Sequence, residues 1–301
     1  MHRLSVVQRA TLGISALISI LASFALFWSS AFTSARIIVA SAPPLTALSL
    51  RFLISGALGV LIARALGQDW RLSPAQWRAT VVFGICQNAL YLGLNFVAMQ
   101  TIEAGLAAII ASTMPLLVGL AGWLIFGERI GLLGMLGLVA GVIGVTIIMG
   151  ARLQGGVDLY GLSLCVAGVI ALTAATLAVR GATSGGNFLM IVGLQMLVGS
   201  AVLGVAAAGL ETVEIAWSWT LVAAFAYTTL VPGLAATLVW FWLVNRIGAT
   251  KAATFHFLNP FLGVAIAALI LSETLSAQDL IGVAVIMGGI LAVQLSRQRR
   301  V

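Results

Sequence analysis

The sequence predicts an all-α membrane protein of ten transmembrane helices, folded as two inverted five-helix repeats. Three observations carry this expectation. Of the 301 residues, 61% are apolar and only 8% charged, against about 45–50% and about 25% in soluble domains. The charges separate long apolar blocks instead of gathering in a stripe. The second half of the chain also echoes the first at an offset of 145 residues. This composition excludes an ordinary soluble enzyme, a disordered chain and a nucleic-acid-binding domain. The net charge of +7 reads as membrane-orienting cations and not as a phosphate-binding face. Cys86 and Cys165 lie inside apolar blocks, so no disulfide framework is expected.

The charge-free runs are 10–35, 37–50, 52–63, 79–102, 104–127, 130–151, 159–179, 181–210, 215–245, 252–272 and 280–296. A hydrocarbon core of about 30 Å takes about 20 residues of apolar helix. Only Arg51 separates the two short runs, and Pro43-Pro44 breaks a helix within the first of them, so one span from about Leu45 to Ala65 carries Arg51. The blocks are far too long for barrel strands. With the N-terminus cytoplasmic, twelve Lys and Arg residues fall on inner segments and only Arg36 and Arg152 on outer ones. The positive-inside rule therefore places both termini in the cytoplasm. The first apolar run is too long for the core of a signal peptide and is expected to be retained. Ser73-Pro74-Ala75-Gln76 is a capping box expected to open the third span, and Ser276-Ala277-Gln278-Asp279 the tenth.

The repeat is carried by Ala104, Ala107, Ala108, Pro115, Leu117, Leu124, Ile125, Glu128, Gly137 and Gly144, which recur as Ala249, Ala252, Ala253, Pro260, Leu262, Leu269, Ile270, Glu273, Gly282 and Gly289. It divides the chain into residues 1–150 and 151–301, each holding five spans. Five is odd, so the second half enters the membrane with opposite polarity. Inverted halves of this kind are the architecture of secondary transporters, with substrate held near the midplane between them.

Phe27-Trp28-Ser29-Ser30-Ala31-Phe32, then Pro43-Pro44 and Arg51-Phe52, resembles the opening of EamA-type members of the bacterial drug/metabolite transporter superfamily. The stretch from Ala104 through Pro115 to Phe126-Gly127-Glu128-Arg129 is similar to the same family, as is its echo from Ala249 through Pro260 to Ser272-Glu273-Thr274. The resemblance implies a multi-pass carrier of the bacterial inner (plasma) membrane. That carrier would export small metabolites, including amino acids, and the nearest likeness is to the aromatic amino-acid exporters. Leu172-Thr173-Ala174-Ala175 stands where the family opening would repeat a Trp-Ser/Gly pair, so the two halves of the site are expected to be asymmetric.

A substrate site in lipid needs polar groups that face a cavity. Trp28, Ser29, Ser30, Phe32 and Thr33 cluster in the first span. Asn88, Tyr91 and Asn95 form a stripe at i, i+3 and i+7 on the third, beside Gln87. Cavity lining and interhelical hydrogen bonding account for such a stripe equally well. The ninth span brings Lys251, Phe255 and Asn259 onto one face, with His256 beside them and Pro260 following. The substrate-binding set read from the sequence is thus Trp28, Ser30, Asn88, Tyr91, Asn95, Phe255, His256 and Asn259. The blander readings are a structural histidine, a packed proline kink and a Lys251 that snorkels to the interface. Arg51 reads as a structural anchor within reach of external water. Glu128 and Glu273 read as helix-dipole partners near the fifth and tenth helices. Gly131, Gly134, Gly137, Gly141 and Gly144 mark close packing of the fifth helix.

No Asp or Glu is expected at midspan, so the usual carboxylate for proton or sodium coupling is missing. No phosphate loop, metal cluster or nucleophile–base pair is present in the sequence, which speaks against an enzyme, a resident cofactor or a metal. The partners expected are a small-molecule substrate, neutral or zwitterionic, and membrane lipid, with a monomer as the working unit and no nucleic acid. Three alternatives stay open: an exchanger of anions or phosphorylated metabolites using Lys251, a broad-specificity drug exporter, and a structural or lipid-handling membrane protein that transports nothing.

Overall fold

A computed structural model describes residues 23, 25–178, 185–247 and 255–298, apart from the side chains of 240, 241, 244, 245, 247, 255 and 298. Every described element is helical: α1 (Ala25–Val39), α2 (Pro44–Ala65), α3 (Pro74–Ala98), α4 (Ala104–Phe126), α5 (Leu132–Gln154), α6 (Leu159–Ala178), α7 (Phe188–Leu210), α8 (Trp219–Ile247), α9 (His256–Leu271) and α10 (Ala277–Gln298). Eight of these are long and apolar enough to cross a membrane, while α1 and α9 are shorter apolar helices within the described residues. Lys251 lies outside those residues.

Local sequence explains the helix starts and breaks. The Ser73 hydroxyl accepts the Gln76 N–H at 3.3 Å, and the Gln76 side chain accepts the Ser73 N–H at 2.9 Å. This box starts α3 at Pro74, five residues before the charge-free run, because Arg78 sits in its first turns. Asp279 and Ser276 cap α10 reciprocally at 3.0 and 3.1 Å. Within α3, Gly84–Tyr91 is a π-helical stretch. Pro115 and Pro260 do not kink running helices. Each sits at the start of a fresh helical segment, Met114–Phe126 in α4 and Asn259–Leu271 in α9, where a missing N–H costs nothing.

The most extensive pairings are α5 with α10 and α2 with α7. Both are seams of glycine. A Cβ on Gly137 would lie 2.7 Å from the Gly289 carbonyl, and one on Gly144 would lie 2.8 Å from that of Gly282. On the other seam, a Cβ on Gly56 would lie 2.9 Å from the Gly193 carbonyl. Only glycine lets the backbones approach so closely.

Charged side chains fasten one end of the bundle. Arg152 reaches Glu103 at 2.6 Å and Asp279 at 3.0 Å. The Glu211 carboxylate accepts the N–H groups of Leu45 and Thr46 at 2.7 and 2.8 Å, capping α2. Arg36 donates to the Met99 carbonyl. The Thr101 hydroxyl donates to Asp158 at 2.6 Å and, with the Gly161 N–H, holds that carboxyl below the usual carboxylate range. Glu273 departs from the sequence expectation. It caps α4, accepting the Ala104 and Gly105 N–H groups at 2.7 and 2.9 Å, and the Ser276–Asp279 box serves α10 instead. Glu128 lies 3.9 Å from Arg297 at the opposite end of the bundle. Arg51 is not an anchor at external water. It is 6% exposed, its Nε donates to the Thr228 carbonyl at 3.2 Å, and its guanidinium lies over the Phe52 ring.

Candidate functional site

A cavity of about 520 Å³ opens between the halves of the bundle. Its walls run from Gln76 and Phe188, in the first turns of α3 and α7, to Trp28, Tyr91 and Asn259 in the middle of the bundle. None of the residues at the end fastened by Arg152 lines it. Its described lining thus reaches one end of the bundle, which can be called the Gln76 end, and stops short of the other.

Residues from α1 and α9 form one wall. The Trp28 and His256 rings meet edge to face with centroids 5.4 Å apart. The Asn259 amide donates to His256 Nδ1 at 2.9 Å, which makes Nδ1 the acceptor and leaves the ring proton on Nε2. Ser29 donates to the other end of the same amide at 3.4 Å. The amide is thereby held at both ends, and the histidine is held in one tautomer. The opposite wall is α3, whose Gln87, Asn88 and Tyr91 all line the space. The π-helical stretch that carries them changes the phase of the helix behind it. Asn95 consequently leaves the stripe: it is 1% exposed, outside the lining, and donates to the Tyr91 carbonyl at 2.8 Å.

Of the eight residues expected from the sequence, the structure brings Trp28, Asn88, Tyr91, His256 and Asn259 to the cavity. Ser30 is turned away from it. Its hydroxyl donates to the Phe27 carbonyl at 2.9 Å, so the Tyr227 hydroxyl, 2.8 Å away, is the donor between those two. The backbone of Phe255 opens a 3₁₀ turn ahead of α9, and its side chain is outside the described residues. The sequence reading missed the contribution of α7: Phe188, Gln195 and Met196 complete the wall. Gln195 is the larger of the two polar residues of that apolar helix, with Ser200, and was the available signal. Among the described lining residues none is Asp, Glu, Lys or Arg, and none of the described His, Cys, Asp and Glu residues forms a group able to hold a metal. Amide, hydroxyl and imidazole groups are thus set into a largely aromatic and aliphatic surface. Such a lining can hydrogen-bond the ends of a small polar molecule and stack on its apolar body.

Comparison with known proteins fits this geometry. The model of the EamA-like transporter family matches residues 14–150 and 159–295. The uncharacterized transporter YvbV of Bacillus subtilis is 26% identical over 272 residues, covering 90% of this chain and 89% of that protein. The uncharacterized inner membrane transporter YedA of Escherichia coli K12 is 27% identical over 288 residues, covering 92% and 90%. A chain of a solved crystal structure superposes with a TM-score of 0.66 over 95% of this chain and 99% of its own at 22% identity, a likeness of fold alone.

Proposed function

The chain belongs to the EamA-like transporter family, and from that premise we propose that it is a secondary transporter exporting amino acids, aromatic or other neutral ones, and related small metabolites. The observation that carries this reading is the cavity of about 520 Å³, aromatic-rich and uncharged among its described lining residues, which reach the Gln76 end of the bundle and not the Arg152 end. It is within the size range of small-molecule sites. A binding surface without fixed charge suits a solute that is neutral or carries both charges on itself. Trp28 and Tyr91 offer faces for stacking, while Asn88, Asn259 and His256 offer donors and acceptors for amino and carboxyl groups.

The two halves, residues 1–150 and 151–301, act as inverted five-helix units that rock about the cavity, with ten spans in all. With both termini cytoplasmic in a bacterial inner membrane, the Gln76 end faces the cytoplasm, and the cavity is loaded from the side an exporter draws on. The relative named as an inner membrane transporter supports the location. Without a carboxylate among the described lining residues, the flux follows the solute gradient and not a coupled ion. The cavity speaks against a purely structural membrane protein. The alternative that uses Lys251 as an anion ligand has no feature of the described lining in its favour.

The test is flux of a panel of labelled amino acids into proteoliposomes, with and without imposed pH and voltage gradients. Saturable flux of a zwitterion that ignores both gradients is expected. Trp28→Ala and Asn259→Ala should each weaken apparent affinity roughly tenfold, the scale of one lost stacking or hydrogen-bonding contact. Absence of flux for every amino acid, from protein of unchanged melting temperature, would overturn the substrate assignment.

A further inference from the structure

The offset of 145 residues carries six lining residues of α3, Gln76, Ala79, Phe83, Gln87, Asn88 and Tyr91, onto Leu221, Ala224, Thr228, Pro232, Gly233 and Ala236 of α8. All six counterparts are buried. The break in helical phase recurs with them: the π-helical turn Val231–Ala235 of α8 falls within the image of Gly84–Tyr91 in α3. The same offset carries two lining residues of α7, Val192 and Met196, onto Ala47 and Arg51 of α2.

Residues that line open space in one set close on one another in the other. Ala47 packs with Leu221 and Ala224 in one apolar cluster. Arg51 Nε donates to the Thr228 carbonyl at 3.2 Å. A Cβ on Gly233, the counterpart of Asn88, would lie 3.5 Å from Arg51 Nη2. Arg51 is thus the charged member of a closed wall, 6% exposed where it stands. Among the described residues its two Nη groups have no acceptor within hydrogen-bonding distance.

We propose that Arg51 joins the cavity wall when the cavity opens at the Arg152 end, in the place that Met196 holds now, and there favours solutes with a carboxylate over organic cations. This rests on the reading of the halves as inverted units that rock, and not on which solute is carried. In the present arrangement the guanidinium is stripped of water, with one carbonyl and the Phe52 ring as partners. Such burial is costly for a permanent charge. Opening hydrates it and frees its planar fork for a carboxylate. The described lining as it stands carries no charge, so a solute meets this cation only on the Arg152 side. A zwitterion or an anion passes there, and an organic cation is repelled.

The test uses the full-length chain in sealed membrane vesicles of either orientation, with Cys86 and Cys165 replaced by Ala. Ala47 lies one helical turn from Arg51 on the same face of α2, so Ala47→Cys samples the field of the guanidinium. It is labelled from the Arg152 side with two small thiosulfonate reagents, one bearing a sulfonate and one a trimethylammonium group. The anionic reagent should react faster by at least about fivefold, the effect of a unit charge a few ångströms away in water. Arg51→Gln should bring the ratio close to one, and Arg51→Lys should keep it. Ser112→Cys, on the wall of the present cavity, supplies two controls. Labelled from the Gln76 side, it should show little charge preference, a comparison that leaves Arg51 in place should Arg51→Gln fail to fold. Labelled from both sides in turn, it reports whether the halves rock. Reaction of Ser112→Cys from the Gln76 side alone would refute the rocking halves, and the proposal with them. Reaction from both sides, with Ala47→Cys showing no anion preference or one that Arg51→Gln leaves unchanged, would overturn the role of Arg51 alone.

Discussion

A guanidinium within a membrane span has to find oxygen acceptors inside the protein, and Arg51 finds one that a proline has vacated. The carbonyl of Thr228 would bond the N–H of residue 232 in an α-helix, but residue 232 is Pro and has none. Arg51 Nε supplies the bond at 3.2 Å, and one turn along α2 the Ser55 hydroxyl donates to the next carbonyl, that of Thr229, at 3.2 Å. Helix α8 then passes through a π-helical turn, Val231–Ala235, and resumes. Arg51 thus replaces a missing backbone donor, a role that can be separated from its charge. Arg51→Leu should cost about 1–3 kcal/mol in thermal or denaturant unfolding by leaving a buried carbonyl unmatched. In a Pro232→Ala background, where residue 232 again carries an N–H, the same replacement should cost at least about 1 kcal/mol less. Additive effects in this double-mutant cycle would show that Arg51 acts through something other than the Thr228 carbonyl.

At the scale of the helices, the close approach of α5 to α10 depends on side chains that are absent. Gly137, Gly144, Gly282 and Gly289 face one another across α5 and α10, with each added Cβ 2.7–2.9 Å from the carbonyl opposite or nearer still to a side chain. Gly150 lies on the same α5 with nothing within 4 Å of its Cβ position. Gly137→Ala should therefore destabilise the protein by about 1–3 kcal/mol through forced separation of the helices. Gly150→Ala should be neutral or stabilising by up to about 1 kcal/mol, because alanine is the better helix former. Equal melting temperatures for the two variants would refute the seam. This packing was legible in the sequence because glycines at three- and four-residue steps have few other uses in a span, and the two capping boxes were legible because their chemistry is local. The burial of Arg51 was not: counting residues from a span end gives depth but not the face on which a side chain points. The exit of Asn95 from the polar stripe was hidden too, since a π-helical stretch has no composition of its own. Phe188 and Met196 escaped notice because an apolar residue looks the same whether it faces lipid or a cavity.

Across the whole molecule the two ends are built differently. The described lining of the central cavity reaches the Gln76 end, and the other end is held shut by side chains from distant parts of the sequence. A carrier that alternates must break the closed end to release its solute, and the bonds that hold it set how often this happens. The Arg152 cluster is the strongest of them: it joins α5 to the first turn of α10 and to Glu103 ahead of α4, and its Asp279 side chain is only 2% exposed. Removing Arg152 leaves that carboxylate buried without its counter-charge, a cost of about 3–5 kcal/mol borne by the closed arrangement. An open arrangement that hydrates Asp279 escapes this cost, so the equilibrium shifts toward it. The shift can be read by placing a single cysteine at Ser112, on the cavity wall, in a chain with Cys86 and Cys165 replaced by Ala, and labelling with a membrane-impermeant thiol reagent from each side in turn. Arg152→Gln should raise labelling from the Arg152 side at least several-fold and lower it from the Gln76 side. Arg152→Lys, which keeps the charge but loses the two-pronged grip, should fall between the two. As a milder variant that leaves the Arg152–Asp279 pair in place, Glu103→Gln, which removes only the contact at 2.6 Å, should show the same direction with smaller amplitude. Labelling from the Arg152 side that stays at its original level in all three variants would mean that this cluster fastens the helices without governing which side of the membrane the cavity faces.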